Sequence, residues 1–484
     1  MSSLKNKTVS GLLWSFIDNF SKLGLTFVIG IILARLLGPR EFGLIGMITI
    51  FIALSQSLVD SGFTQALIRK KDCSQADYST VFYFNLFIGI ILYIVLFFSA
   101  GAISSFFDEP QLLLIVQVVG LSIIVNAFTI VQRARLTKAI NFKLQTKISI
   151  TASLGSGIIG ILMAYSGYGV WSLVFKTLLG VAITSLLLWI WNKWKPSFIF
   201  SRNSFKEMFS FGYKLLISGL IDTAYRNIYL LIIGKYFSAA ELGFYTRADQ
   251  FSNLPSKNIT SVIQRVSYPV LAEIQDDIPR LKTAYQKIIK STMLITFVSM
   301  IILAAVAKPL VLSLIGEKWL PSVIYLQLLS FGGTFYPLHA INLNMLNVQG
   351  RSDLFLRLEI IKKILAIPVI VVGVLLGIKA MIVGMIIISM IAFFLNSYYS
   401  GQLIAYSSMQ QLKDILPSFI LAIFIGSITY LIGSFLILPN YLILIIQLMA
   451  GGGLFILLAE YFKMQDYLYI KEIFLDKVLK RKND

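Results

Sequence analysis

Apolar stretches of roughly 18–25 residues recur along almost the whole chain, separated by short polar loops that hold its cations. A stretch of that length crosses a 30 Å hydrocarbon core as a helix. Hydrophobic residues make up 57% of the 484 positions and charged residues 13%. Soluble proteins carry about twice that charged fraction, so the chain reads as an all-α polytopic membrane protein. It also repeats itself. Residues 34–43 read Ala-Arg-Leu-Leu-Gly-Pro-Arg-Glu-Phe-Gly, and residues 234–243 read Gly-Lys-Tyr-Phe-Ser-Ala-Ala-Glu-Leu-Gly. In each copy an apolar stretch ends in a cation, Arg35 or Lys235, turns, and restarts at Glu41 or Glu241. Two related membrane halves are the usual build of an alternating-access transporter, with the ligand held between them.

Several other classes are excluded. The single cysteine, Cys73, permits no intrachain disulfide, and His339 is the only histidine, so no metal centre is expected. The net charge of +19 sits in loops between apolar spans, which marks orientation in a bilayer rather than nucleic-acid binding. Lys5 and Lys7 precede a long apolar stretch without the short apolar region and small-residue cleavage site of a signal peptide, so the first helix is expected to be retained. The chain has no Gly-x4-Gly-Lys-Ser/Thr motif for ATP, and no catalytic constellation assembles from its residues. No cofactor is expected, and the chain does not read as an enzyme.

Residues 243–272 are the difficult segment, because Arg247, Asp249, Lys257 and Arg265 would mark a loop by hydropathy. Tyr245, Ala248, Phe251, Leu254, Ile259 and Val262 nevertheless recur at helical spacing, with a polar face opposite. If this segment crosses and the N-terminus is cytoplasmic, the cytoplasmic loops hold Arg69-Lys70-Lys71, the cations of 133–147 and 193–206, Arg280 to Lys290, and Arg351 to Lys363. The C-terminal tail adds Lys480-Arg481-Lys482, and one outer loop carries Asp108-Glu109. If the segment did not cross, every later basic loop would move outside, against the positive-inside rule. About 14 helices are therefore expected. The expected division is a six-helix lobe over 1–204, a second over 205–405, two further helices over 406–463 and a basic tail over 464–484, with both termini cytoplasmic. The apolar spacing of the tail fits a helix on the anionic inner leaflet or a solvated one.

Ionisable residues within spans cost about 2.5–3.5 kcal/mol each on insertion scales and mark function by default. They are Asp18 and Lys22 in the first helix; Lys214, Asp222 and Arg226 in the seventh; and Arg247, Asp249 and Lys257 in the eighth. The functional reading is a water-filled cavity. Arg226, Arg247, Lys257, Lys214 and Lys22 would hold an anionic head group, and Asp18, Asp222 or Asp249 would carry a coupling ion. The alternative is that Asp18/Lys22 and Asp222/Arg226, each spaced i, i+4, are ion pairs that make the helices insertable. His339 reads as a buried, satisfied histidine or as a proton carrier.

The run Leu231-Ile-Ile-Gly-Lys-Tyr-Phe-Ser-Ala-Ala-Glu-Leu-Gly-Phe-Tyr245 resembles bacterial polysaccharide flippases of the O-antigen and colanic-acid type. So do Leu254-Pro-Ser-Lys-Asn-Ile259, Val262-Ile-Gln-Arg-Val266, Pro269 and Ile274-Gln-Asp-Asp277, the motif from Ala34 to Gly43, and Gly167-Tyr168-Gly169-Val170-Trp171. These flippases belong to the multidrug/oligosaccharidyl-lipid/polysaccharide exporter superfamily. The resemblance covers about residues 10–400. It implies two six-helix lobes in a V shape plus two C-terminal helices, in the bacterial inner membrane. It implies transport of polyprenyl-diphosphate-linked oligosaccharide from the cytoplasmic to the outer leaflet, driven by a proton or sodium gradient, alongside glycan polymerase and glycosyltransferases. Two alternatives remain at this point. A drug/cation antiporter of the same superfamily would favour acidic cavity residues. A membrane glycan polymerase or acyltransferase would carry a large outer loop or a catalytic acid or histidine site.

Overall fold

The computed structural model describes residues 2–480, and every regular element among them is a helix. The expected basic residues Arg481 and Lys482 lie outside the described residues. In chain order the helices are α1 (Ser2–Leu36), α2 (Pro39–Asp60), α3 (Phe63–Arg69), α4 (Gln75–Phe107), α5 (Leu112–Lys138), α6 (Phe142–Tyr165), α7 (Trp171–Asn192), α8 (Arg202–Tyr236) and α9 (Ala239–Glu273). There follow α10 (Ile278–Ala305), α11 (Ala307–Leu314), α12 (Ser322–Gly333), α13 (Tyr336–Val348), α14 (Ser352–Leu376), α15 (Ile378–Ile404), α16 (Ser408–Phe435), α17 (Asn440–Tyr461) and α18 (Gln465–Lys480).

Among the described residues, 11 helices are long and apolar enough to cross a membrane. Three of the expected spans fall outside that set, each for a visible reason. α9 is helical over its whole length but carries four ionisable residues between Arg247 and Arg265. α14 carries Glu359, Lys362 and Lys363, with Lys362 paired to Glu359. Residues 323–347, a single apolar stretch in sequence, form two helices, α12 and α13, interrupted at Thr334 and Phe335. Pro337 sits in the first turn of α13, where its missing N–H leaves no intrahelical bond unmade.

The chain forms two compact units that divide between Gly243 and Phe244. In the first, α4 packs on α5, α6 on α7 and α1, and α8 on α2. Phe63, Leu67, Phe82, Val131 and Trp194 form one of its cores. Trp194 is 6% exposed, so it is a core residue, whereas Trp191 is exposed. The polar segment after α7 is strapped down: Gln132 Nε2 donates to the Trp194 carbonyl at 3.0 Å, and the Ser197 amide donates to Ser79 Oγ at 2.9 Å.

The two sequence echoes meet inside this unit. α1 ends at Leu36 and α2 starts at Pro39; α8 ends at Tyr236 and α9 starts at Ala239. A Cβ on Gly43 would collide with the Ala239 carbonyl, and a Cβ on Gly243 would collide with the Pro39 carbonyl. Each glycine thus admits the first turn of the other copy's helix at backbone contact. Flanking this crossing, Arg40 Nη2 pairs with Glu109 Oε2 at 2.6 Å and Lys235 Nζ with Asp108 Oδ2 at 3.3 Å.

In the second unit α10 packs on α16, α14 on α15, α13 and α12 on α15, and α11 on α17. Its core runs through Tyr285, Met293, Phe297, Leu338, Met345 and Tyr406. A buried polar chain crosses that core: Tyr285 Oη donates to Asn342 Oδ1 at 3.0 Å, and Asn342 Nδ2 donates to Gln411 Oε1 at 3.1 Å. Burying these groups is tolerable because each finds a partner.

Candidate functional site

The candidate residues fall into separate groups. Asp18 and Lys22 form an i, i+4 ion pair in α1 at 2.7 Å, with Asp18 the more covered partner. Asp222 and Arg226 form the same pair in α8 at 2.8 Å, and both are largely open, 51% and 67% exposed. Lys214, two turns earlier in α8, lies over the Tyr213 ring at 5.9 Å. α8 is the least covered apolar helix, with 6% of its most apolar window buried against 22–56% in the other ten. A long helix this bare leaves its charges for water or a ligand to meet.

The remaining candidates lie on α9 in the second unit. Arg247 and Asp249 are half-buried, and Lys257 is exposed. Two residues apart on a helix, Arg247 and Asp249 point to different sides and are not an i, i+4 pair. Asp249 lies on a polar stripe with Ser252, Asn253 and Ser256, and Asn253 hydrogen-bonds its carboxylate. That stripe lines a cavity of about 190 Å³ closed on the other side by Tyr336 and His339 from α13 and Ser389 from α15. His339 Nε2 lies 2.8 Å from Ser389 Oγ, and Asn396 Nδ2 lies 3.5 Å from His339 Nδ1. Both imidazole nitrogens thus have a polar neighbour. The histidine is satisfied, as one of the two expected readings has it, and it lines the same cavity as Asp249.

Asn253, Ser256, Ser389 and Asn396 were not singled out from the sequence. The α9 serines and asparagine were detectable as a polar face at helical spacing. Ser389 and Asn396 carry no such signal, because they meet His339 only through the packing of α15 on α13.

Comparison with known proteins places the chain. The polysaccharide biosynthesis protein family matches residues 32–324, more than half of the length. The lipopolysaccharide biosynthesis protein WzxC of Escherichia coli (strain K12) is 27% identical over 377 residues, covering 77% of this chain and 76% of that one. The teichuronic acid biosynthesis protein TuaB of Bacillus subtilis (strain 168) is 26% identical over 357 residues, covering 73% and 74%. Among solved structures, the lipid II flippase MurJ in an inward closed conformation matches with a TM-score of 0.75 at 16% identity, over 93% of this chain and 98% of that one. An inward-facing multidrug resistance MATE family transporter of the MOP superfamily matches with a TM-score of 0.60 at 16% identity, over 82% and 98%. The two structural likenesses establish a shared fold of membrane helices. Joined to the family match across both copies of the repeat, they lead to one statement: the chain belongs to the polysaccharide biosynthesis protein family.

Proposed function

We propose that this protein is a flippase that moves polyprenyl-diphosphate-linked oligosaccharide from the cytoplasmic to the outer leaflet, by alternating access, for surface polysaccharide biosynthesis. The observation that carries the reading is the unburied charge of α8 and α9 in a chain of this family: Asp222 and Arg226 stand open in the barest apolar helix, and Lys257 is exposed on α9. A diphosphate needs cationic donors in a wet site, and its oxygens accept charge-assisted bonds from guanidinium and ammonium groups. The first unit offers Lys22, Lys214 and Arg226 as such donors, and the second offers Arg247 and Lys257. A cation exporter would need the opposite balance. The work is transport rather than catalysis, in functional association with the glycosyltransferases that build the substrate and the polymerase that consumes the product. The membrane is the bacterial cytoplasmic membrane, with both termini inside.

The direct test is complementation of a flippase-deficient strain, following lipid-linked precursor in each leaflet. Outer-leaflet precursor should appear only with the protein, and equal appearance without it refutes the reading. A cysteine introduced at Ser352, with Cys73 replaced by serine, should resist an impermeant thiol reagent in intact cells; labelling there refutes the orientation.

The coupling ion belongs at Asp249. The cavity that Asp249 shares with His339 supports this over Asp18 and Asp222, whose carboxylates are each occupied by a cation on the same helix. A proton or sodium ion entering there would meet a carboxylate, an amide oxygen and hydroxyls. Asp249→Asn should leave transport insensitive to the ion gradient, and an unchanged gradient dependence would refute the assignment.

A further inference from the structure

A second cavity, of about 320 Å³, opens at the end of the first unit where α1–α2, α4–α5 and α6–α7 turn around. Its floor is apolar: Leu44, Ile115 and Val170 are all buried. Its rim carries Arg40, Glu41, Gln111, Tyr168 and Trp171. The shape comes from three short turns. Pro39 opens α2 directly after Gly38, and Gln111 immediately precedes α5. Between α6 and α7, Gly167 and Gly169 take φ values of 82° and 55°, a backbone that glycine adopts without strain. That turn holds Tyr168 out into solvent, 58% exposed, beside Trp171 at the start of α7.

The charge of the rim is nearly spent. Arg40 is engaged by Glu109 at 2.6 Å, which fixes the guanidinium and offsets its charge. Glu41 lies in the first turn of α2, where the helix end favours an anion. An incoming anion would therefore meet two carboxylates and one already paired cation. A purely apolar molecule would strip water from Gln111 and return no hydrogen bond, which is costly. A sugar ring satisfies both surfaces. Its C–H face can lie on the Tyr168 and Trp171 rings, and its hydroxyls, each donor and acceptor, can pair with the Gln111 amide and the Arg40 N–H groups that Glu109 does not take. The volume is at the small end for ligand pockets, about 300–1,000 Å³, which suits one ring rather than a chain of them.

We infer that this cavity is a docking site for a single neutral hexopyranose residue. The inference rests on the proposed function in one respect: the orientation given above puts this end of the first unit outside, where the delivered glycan lies. The site would hold the first accessible sugar of a lipid-linked glycan at the membrane surface after translocation, and it is separate from the cations proposed to grip the diphosphate.

The test uses the full-length protein in lipid nanodiscs and saturation-transfer NMR. The probes are the methyl glycosides of glucose, galactose, mannose and N-acetylglucosamine, with methyl glucuronide as the anionic control. At least one neutral glycoside should bind saturably in the millimolar range, about the affinity expected of a small polar ligand in an open pocket. Methyl glucuronide should bind about tenfold more weakly or worse. Tyr168→Ala and Gln111→Ala, both at exposed positions, should each weaken binding about tenfold without changing the melting temperature. The inference is overturned if no neutral glycoside saturates, if the glucuronide binds as well as its neutral counterpart, or if both variants bind like the parent. A leaflet-transfer assay on the same preparation separates the two readings. A protein that moves lipid-linked glycan but binds no glycoside loses this site alone; one that binds glycosides but moves no lipid loses the flippase reading alone.

Discussion

The two helix pairs α1–α2 and α8–α9 share a backbone plan and differ in chemistry. α1 and α8 are each 35 residues long, and in each case two residues separate the helix from the next. At the crossing, Gly43 and Gly243 play the same part toward each other's neighbour. Beyond the first turn the copies part. Met47, Thr49 and Ser57 of α2 correspond to Arg247, Asp249 and Lys257 of α9. Met47 is 1% exposed and Thr49 gives its hydroxyl to the Ile45 carbonyl, so the first copy spends these positions on packing. The second leaves Arg247 and Asp249 half-buried and Lys257 exposed. The repeat is thus held by a turn and two small residues, which constrain the backbone but leave the outward-facing side chains free to diverge. We propose that the substrate-contacting residues belong to the copy that departs from the shared pattern.

Breaking the shared part should have the largest effect. Gly43→Val or Gly243→Val puts a branched side chain against a carbonyl that belongs to a helix and cannot rotate away. Overpacking of this kind costs about 1–3 kcal/mol where side chains can yield, and backbone yields less. Either variant should lose most of its folded protein in the membrane, measured by detergent-resistant monomer and melting temperature. Parental levels in both would mean that the crossing is not structural.

Asp249→Asn acts on the divergent part and should leave folding intact, since Asn253 can hydrogen-bond an amide in place of the carboxylate. Transport rate should fall about tenfold or more, with gradient dependence lost, measured in vesicles with and without an imposed ion gradient. A parental rate under both conditions would move the coupling site elsewhere.

The smallest effect belongs to a three-residue ion cluster outside both copies' divergent positions. Lys70 Nζ lies 3.0 Å from both Asp77 and Glu207. Burial pulls the Lys70 pKa down, but the hydrogen bonds and charges of Glu207 and Asp77 outweigh it, and the net shift is upward from 10.5. A raised lysine stabilises fully below its unfolded value and loses that contribution only as pH climbs through the folded one. Lys70→Ala should therefore cost about 0.5–1 kcal/mol, constant across neutral pH and shrinking only under strongly alkaline conditions. A melting difference between variant and parent that varies near neutrality would contradict this.

Much of the architecture was legible in sequence, and the exceptions have physical causes. Hydropathy found the helices whose whole circumference is apolar. α9 needed the repeat and the charge count of the loops, because its polar stripe lowers its mean hydropathy. The break between α12 and α13 was hidden, since an apolar run with a proline reads alike whether the helix continues or restarts. Trp194 stands at a span end in sequence, where an aromatic suits the membrane interface, yet the linker folds back onto α4 and buries it. For the candidate site, charge within spans named Asp249 and Arg226. That Asp249 and His339 line one cavity depends on elements far apart in sequence, and no local spacing encodes it.

The most direct test converts the second copy's chemistry into the first copy's. The variant Arg247→Met, Asp249→Thr, Lys257→Ser keeps the turn, the glycines and the helix while removing the charge that distinguishes α9 from α2. Purified lipid-linked oligosaccharide and the protein would be reconstituted in vesicles, and transfer between leaflets followed by access of an external glycosidase. The expected result is a variant that folds and inserts at parental levels and transfers no faster than protein-free vesicles. Transfer at the parental rate would contradict the claim that the divergent copy carries the function.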